Sequence, residues 1–109
     1  MSYDIYLTFP VDAGGPIEEH QLFWWNYTSN CACMWRKAGA DLAKFEGLKA
    51  ESCIIPLNIA IDEIEANRAE YEKLNPANGW GSVESLLPAL RELRDAMRQY
   101  PKATVSVSR

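Results

Sequence analysis

Long apolar runs are missing from this sequence, and so is any excess of positive charge. No window stays apolar for more than a few residues, far short of the roughly 20 that a membrane-spanning helix needs. Eleven Lys and Arg are scattered against fifteen Asp and Glu, which leaves a net charge of -4 and a pI near 4.9. Duplex nucleic acid is held by clustered cations that neutralise several phosphates, so neither nucleic acid nor a membrane is expected as a partner. A small anion needs only one or two cations and stays open. Cysteine is scarce, and three is an odd count, which argues against a disulfide framework. No basic and apolar leader precedes Asp4, so the expectation is a cytoplasmic protein with reduced thiols. The glycosylation sequon Asn26-Tyr27-Thr28 would then be idle. No internal repeat, low-complexity tract, linker or phosphate-cradling glycine motif interrupts the chain.

What is present suits one folded domain spanning residues 1–109. The chain is 48% apolar and 24% charged, a globular balance that disfavours disorder. A single domain of this length has a radius of gyration of about 13 Å. Four Trp, five Tyr and three Phe are many for 109 residues. A few of these rings are enough to dominate a core or a binding surface.

Residues 3–9 alternate, with Tyr3, Ile5, Leu7 and Phe9 on one side and Asp4, Tyr6 and Thr8 on the other. That period of two predicts a half-buried strand ending at Pro10. Asp12, Gly14, Gly15 and Pro16 supply a turn, and Gln21 to Thr28 a second strand returning antiparallel. Asn30 is placed to cap a short helix over Cys31–Ala38, stopped by Gly39. Asp41 to Gly47 reads as a helical turn or an irregular connection. A long helix begins near Ala50, with Pro56 close to its first turn. Its apolar stripe is Cys53, Leu57, Ala60, Ile61, Ile64 and Tyr71, and Pro76 stops it at Leu74. The turn-rich loop Asn75 to Gly81 leads to Ser82 as a helix cap. Val83, Leu86, Leu87, Leu90, Leu93, Met97 and Tyr100 then recur at helical spacing. Because Pro88 falls past the first turn, a start at Ser85 is preferred. After Pro101, Ala103 to Ser108 alternate as a closing strand able to pair with the first. The expected class is α+β: a small antiparallel sheet in the order β-β-α-α-α-β, with two long amphipathic helices over one face.

Ser2-Tyr3-Asp4-Ile5-Tyr6-Leu7, Asn26-Tyr27-Thr28-Ser29-Asn30, Ala50-Glu51-Ser52 leading to Pro56-Leu57, and Asn78-Gly79-Trp80-Gly81 occur in this order. Together they resemble a family of short uncharacterised proteins encoded by bacteriophages and bacteria, over most of the chain. The resemblance implies an accessory role, one form of which is countering host defence, and it brings no catalytic residue. Cys31 and Cys33 depart from the family pattern, so it assigns those thiols no role.

Two segments stand out chemically. Asn26, Thr28 and Asn30, followed by Trp35 and Arg36, combine amides, a hydroxyl, a ring and a guanidinium. Asn reads hydrogen-bonding edges, Trp stacks on flat rings, and Arg grips phosphate or carboxylate as a fork. The plain structural alternative makes Asn30 a cap, Thr28 a strand residue and Trp35 core. Asn78 and Trp80, in the glycine-rich loop, form either a second wall of the same site or a plug at the domain edge. His20, Cys31, Cys33 and Cys53 supply four potential zinc ligands, but their spacing is unlike paired metal knuckles. The sole His20 stands in or beside a loop, so no base is assigned to a Cys nucleophile. Glu18/Glu19 and Asp62/Glu63 read as solvated carboxylates.

The expectation is therefore a non-enzymatic, cofactor-free binder of a small polar or nucleotide-like ligand, through Asn26, Thr28, Asn30, Trp35, Arg36, Asn78 and Trp80. The alternatives are a protein inhibitor of a host factor, using an exposed Phe23-Trp24-Trp25 patch and an acidic surface, and a nucleotide hydrolase. A homo-oligomer through a sheet edge or the Trp24-Trp25 pair is compatible with each.

Overall fold

A computed structural model describes all 109 residues. The chain is an α+β domain with a three-stranded antiparallel sheet in the order β2-β1-β3. Strand β1 is Ser2–Val11, β2 is Glu18–Thr28 and β3 is Thr104–Ser108. Between β2 and β3 come helices α1 (Ala32–Lys37), α2 (Ala50–Ala66), α3 (Arg68–Glu72) and α4 (Val83–Gln99). The central strand shows the expected alternation: Tyr3, Ile5 and Leu7 are buried, whereas Ser2, Asp4, Tyr6 and Thr8 are not. Across from these lie Tyr27, Trp25 and Phe23 of β2, and Val107 and Val105 of β3. Trp25 locks the sheet to the helices, because its indole N–H donates to the Ala89 carbonyl at 2.8 Å.

Five local expectations are corrected. Strand β1 continues through Pro10, which pairs with Glu19. The β3 partnership ends at Thr8, so beyond it a residue without an N–H loses no ladder bond on that side. Thr28, not Asn30, caps the turn Ser29–Cys31 that leads into α1; its Oγ1 accepts the Asn30 N–H. The long helix is broken at Asn67, whose amide folds back onto the Glu63 carbonyl, so α3 follows as a separate turn that still buries Tyr71. Finally, α4 starts at Val83 and carries Pro88 inside it. Reciprocal hydrogen bonds between Ser82 and Ser85 make a capping box that fixes the first turn ahead of the proline. Pro56 likewise stands inside α2, as its seventh residue rather than in the first turn.

The domain is longer than a compact chain of its size, 53 × 26 × 19 Å with a radius of gyration of 14.7 Å. The cause is the β1–β2 hairpin. Every residue from Phe9 to Leu22 is exposed, so this part of the ribbon runs past the helices as an arm. Asp4, Asp12, Glu18 and Glu19 precede the first basic residue, Arg36, while the eleven later acids balance eleven Lys and Arg. The net charge of the chain thus resides in its two opening strands and their turn. No helix is long and apolar enough to cross a membrane.

Candidate functional site

Away from the arm, at the end of the sheet where β1 begins and β2 ends, lies a cleft of about 650 Å³. Its walls are Met1, Ser2, Asn26, Thr28, Asn30, Asn78 and Trp80. Ser2, Asn26 and Thr28 belong to the sheet face turned away from the helices, since Ser2 pairs with Thr28, and Asp4 with Asn26. Asn78 and Trp80 come from the loop between α3 and α4, which reaches this end of the sheet from far along the chain.

Three features hold that loop in place. Gly81, at φ +95°, sits so tightly that an added Cβ would lie 2.7 Å from both Cys31 Sγ and Thr28 Cγ2. Only glycine tolerates both the backbone angle and the approach. The Tyr27 hydroxyl accepts the Ser82 N–H at 3.3 Å and stands 2.6 Å from Ser85 Oγ. The Asn75 side chain accepts the Val83 N–H at 3.0 Å. Burial raises the pKa of Tyr27 and of Cys31, so both stay protonated within this contact.

The cleft is polar and its lining side chains are uncharged, the one wall cation being the Met1 amino group, and internal bonds set which pole of each amide is free. Asn26 donates its Nδ2 to Asp4 Oδ1 at 2.9 Å, an oxygen that also accepts the Trp24 indole N–H at 3.0 Å. The free pole of Asn26 is therefore its carbonyl. Asn78 is the reverse: its Oδ1 accepts the Trp80 N–H at 2.9 Å, which leaves its NH₂ free. Since Thr28 does the capping, the exposed Asn30 side chain is not spent on the helix start. Trp80 is 69% exposed, so it is a wall and not a plug.

Two of the residues expected at a site lie elsewhere. Trp35 is wholly buried, with its ring centroid 5.0 Å from that of Tyr3 and 6.5 Å from those of Trp25 and Tyr27. It is the centre of an aromatic core and offers no face to a ligand. Arg36 donates to the Tyr3 hydroxyl at 3.0 Å and approaches Asp41 at 3.8 Å. Tyr3 projects from the helix-covered side of the sheet, so the guanidinium is turned from the cleft. The Phe23-Trp24-Trp25 patch is likewise not continuous: Trp25 is buried and Phe23 partly so, and only Trp24 is half exposed. Strand alternation sends neighbouring rings to opposite faces. Ser2, absent from the expected set, joins the cleft because it pairs with Thr28; its place at the strand start was the available signal.

The thiols are dispersed. Cys31 and Cys53 are buried and Cys33 is exposed, all three free, and nowhere do three His, Cys, Asp or Glu side chains assemble as a metal site. Burial pushes the Cys53 thiol up to about 11. A second hollow, of about 550 Å³, separates Phe23 on β2 from Arg91, Asp95 and Gln99 on α4. No protein-family model, curated protein or solved structure matches this chain.

Proposed function

We propose that this protein captures a small polar or nucleotide-like molecule in the cleft between the sheet end and the 78–81 loop, without transforming it. The observation that carries this reading is the meeting of Asn26, Thr28 and Asn30 with Asn78 and the exposed Trp80. An exposed indole beside free amide poles is costly to leave unused and suits a flat polar ring. Capture fits better than turnover, because the walls contain amides, hydroxyls and a ring, with no His, Cys, Asp or Glu among them. The likeness to phage-encoded proteins supports an accessory, anti-defence role in the host cytoplasm, where a sponge for a host signal would act. Calorimetry against nucleotides, nucleosides and other small polar metabolites tests the reading. A saturable ligand is expected, and Trp80→Ala should weaken it roughly 5- to 150-fold, the range for loss of one aromatic stack. Binding that ignores Trp80 would move the site elsewhere. Conversion of the ligand, followed by chromatography, would restore the hydrolase alternative.

A second reading, inhibition of a host protein, is favoured by the arm. It exposes Phe9, Ile17 and Leu22, with Trp24 at its base, beside Asp12, Glu18 and Glu19. A photo-crosslinker at position 17 that traps one stoichiometric, basic partner, while the same probe at Glu63 on α2 traps none, would support it.

A further inference from the structure

Resting on the capture reading, we propose that the cleft recognises an uncharged nucleobase edge, in a nucleoside or free base, and does not use phosphate. The hydrogen-bond polarity of the walls carries this step. Asp4 fixes Asn26 with its carbonyl outward, and the Trp80 N–H fixes Asn78 with its NH₂ outward. The cleft therefore presents one wholly unspent acceptor, the Asn26 carbonyl, and one wholly unspent donor, the Asn78 NH₂, with Asn30 free to supply either. Nucleobases display alternating donors and acceptors along one edge, and asparagine is a natural bidentate partner for such an edge. The exposed Trp80 supplies a face on which the same ring can stack. A monosaccharide ring also stacks on indole, but its hydroxyls donate and accept alike, so a fixed acceptor and a fixed donor would not discriminate.

Charge argues in the same direction. The formal charges at the walls are the Met1 amino group and the Asp4 carboxylate, the latter bonded to Asn26, so they offset one another. Arg36 is engaged with Tyr3 and Asp41 on the other side of the sheet. A phosphate placed here would find the Met1 amino group offset by the Asp4 carboxylate, with no guanidinium or ammonium side chain among the lining residues, and would lose its hydration for little in return.

The test is calorimetry of the full chain against adenosine, guanosine, cytidine and uridine, their 5′-monophosphates, and glucose and N-acetylglucosamine. At least one nucleoside is expected to bind, with its monophosphate no tighter. Asn78→Asp keeps the acceptor for the Trp80 N–H and so keeps the loop, but turns the free donor into an acceptor. It should weaken nucleoside binding roughly ten- to a hundredfold. Asn78→Ser retains a weaker form of the same turn and removes the donor without adding charge, so it should also weaken binding. A monophosphate that binds tenfold tighter than its nucleoside, or an Asn78→Ser variant that binds unchanged, would overturn the proposal while leaving capture intact. Binding of a monosaccharide alone would do the same. If none of these probes binds, both the base-edge assignment and its nucleotide-like parent fall.

Discussion

At one end of the β1–β2 hairpin the strands are clamped by a loop whose anchoring residue, Ser82, lies 55 positions beyond Tyr27. At the other end the same two strands run into solvent with every residue from Phe9 to Leu22 exposed. Along β1 the alternation itself runs on unchanged, from Tyr3, Ile5 and Leu7 to Phe9 and Val11. Tyr3, Ile5 and Leu7 are buried, while Phe9 and Val11, next in the same alternation, are exposed. Alternation therefore specifies a face, and burial follows only where a second layer is present to cover it. The bulge between Leu7 and Thr8 falls where the covered part gives way to the arm, as bulges at sheet margins do.

The contrast can be broken most severely at the clamped end. Gly81→Ala would force an L-residue into φ +95° and push a methyl group to 2.7 Å from Cys31 and Thr28. A loss of about 2–3 kcal/mol is expected in urea unfolding, together with displacement of Trp80 seen as a changed fluorescence maximum. A loss under about 0.5 kcal/mol would mean that the loop is not held by this contact.

Tyr27→Phe is milder. It removes the hydroxyl that accepts the Ser82 N–H and pairs with Ser85, and should cost about 1–2 kcal/mol. An unaltered melting curve would assign the clamping to the Gly81 contact and the Asn75 bond instead.

Alkaline pH should destabilise the domain more gradually, through the clamped end and α2 together. Burial raises the pKa of Cys31 and Tyr27, and carries Cys53 to about 11 from 9.0. The folded values exceed the unfolded ones, so the stabilisation is complete below pH 9 and is lost as pH climbs toward 11. The urea midpoint should fall over that window, and Cys53→Ala should flatten the fall. A midpoint constant from pH 8 to 11 would contradict the burial of these groups.

Smallest of all is the effect expected at the free end. Replacing residues 10–19 by an Asn-Gly turn should alter stability by less than about 1 kcal/mol, since no side chain there is buried. Amide exchange sharpens the point: arm protons should exchange far faster than those of Tyr3 to Leu7.

Much of this architecture was readable in the residues. Period-two alternation marks β1 and β3, and the stripe Cys53-Leu57-Ala60-Ile61-Ile64 marks α2. The errors have physical causes. Six residues of α1 are too few to define a face, so nothing local distinguished a buried Trp35 from an exposed one. Asn30 and Thr28 are both capable caps, and the choice between them was settled by the tight turn at Ser29–Cys31. Pro88 argued for a late helix start, but the reciprocal Ser82–Ser85 bonds fix the first turn ahead of it. The amide and indole segments were each conspicuous; their meeting depends on Gly81 seating against Thr28 and Cys31, a long-range fit that no local pattern encodes.

The sheet margins have a final consequence. Along β3 the outer hydrogen-bonding groups are already taken: Gly47 and Leu48 bond to Val105, Lys49 bridges to Thr104, and the Glu46 carboxylate accepts the Val107 N–H. The far side of β2 has no such neighbour. A sheet open along both borders can add molecules without end, whereas one sealed along a single border can be extended once and then stops. Strand addition would therefore yield a closed pair and never a filament.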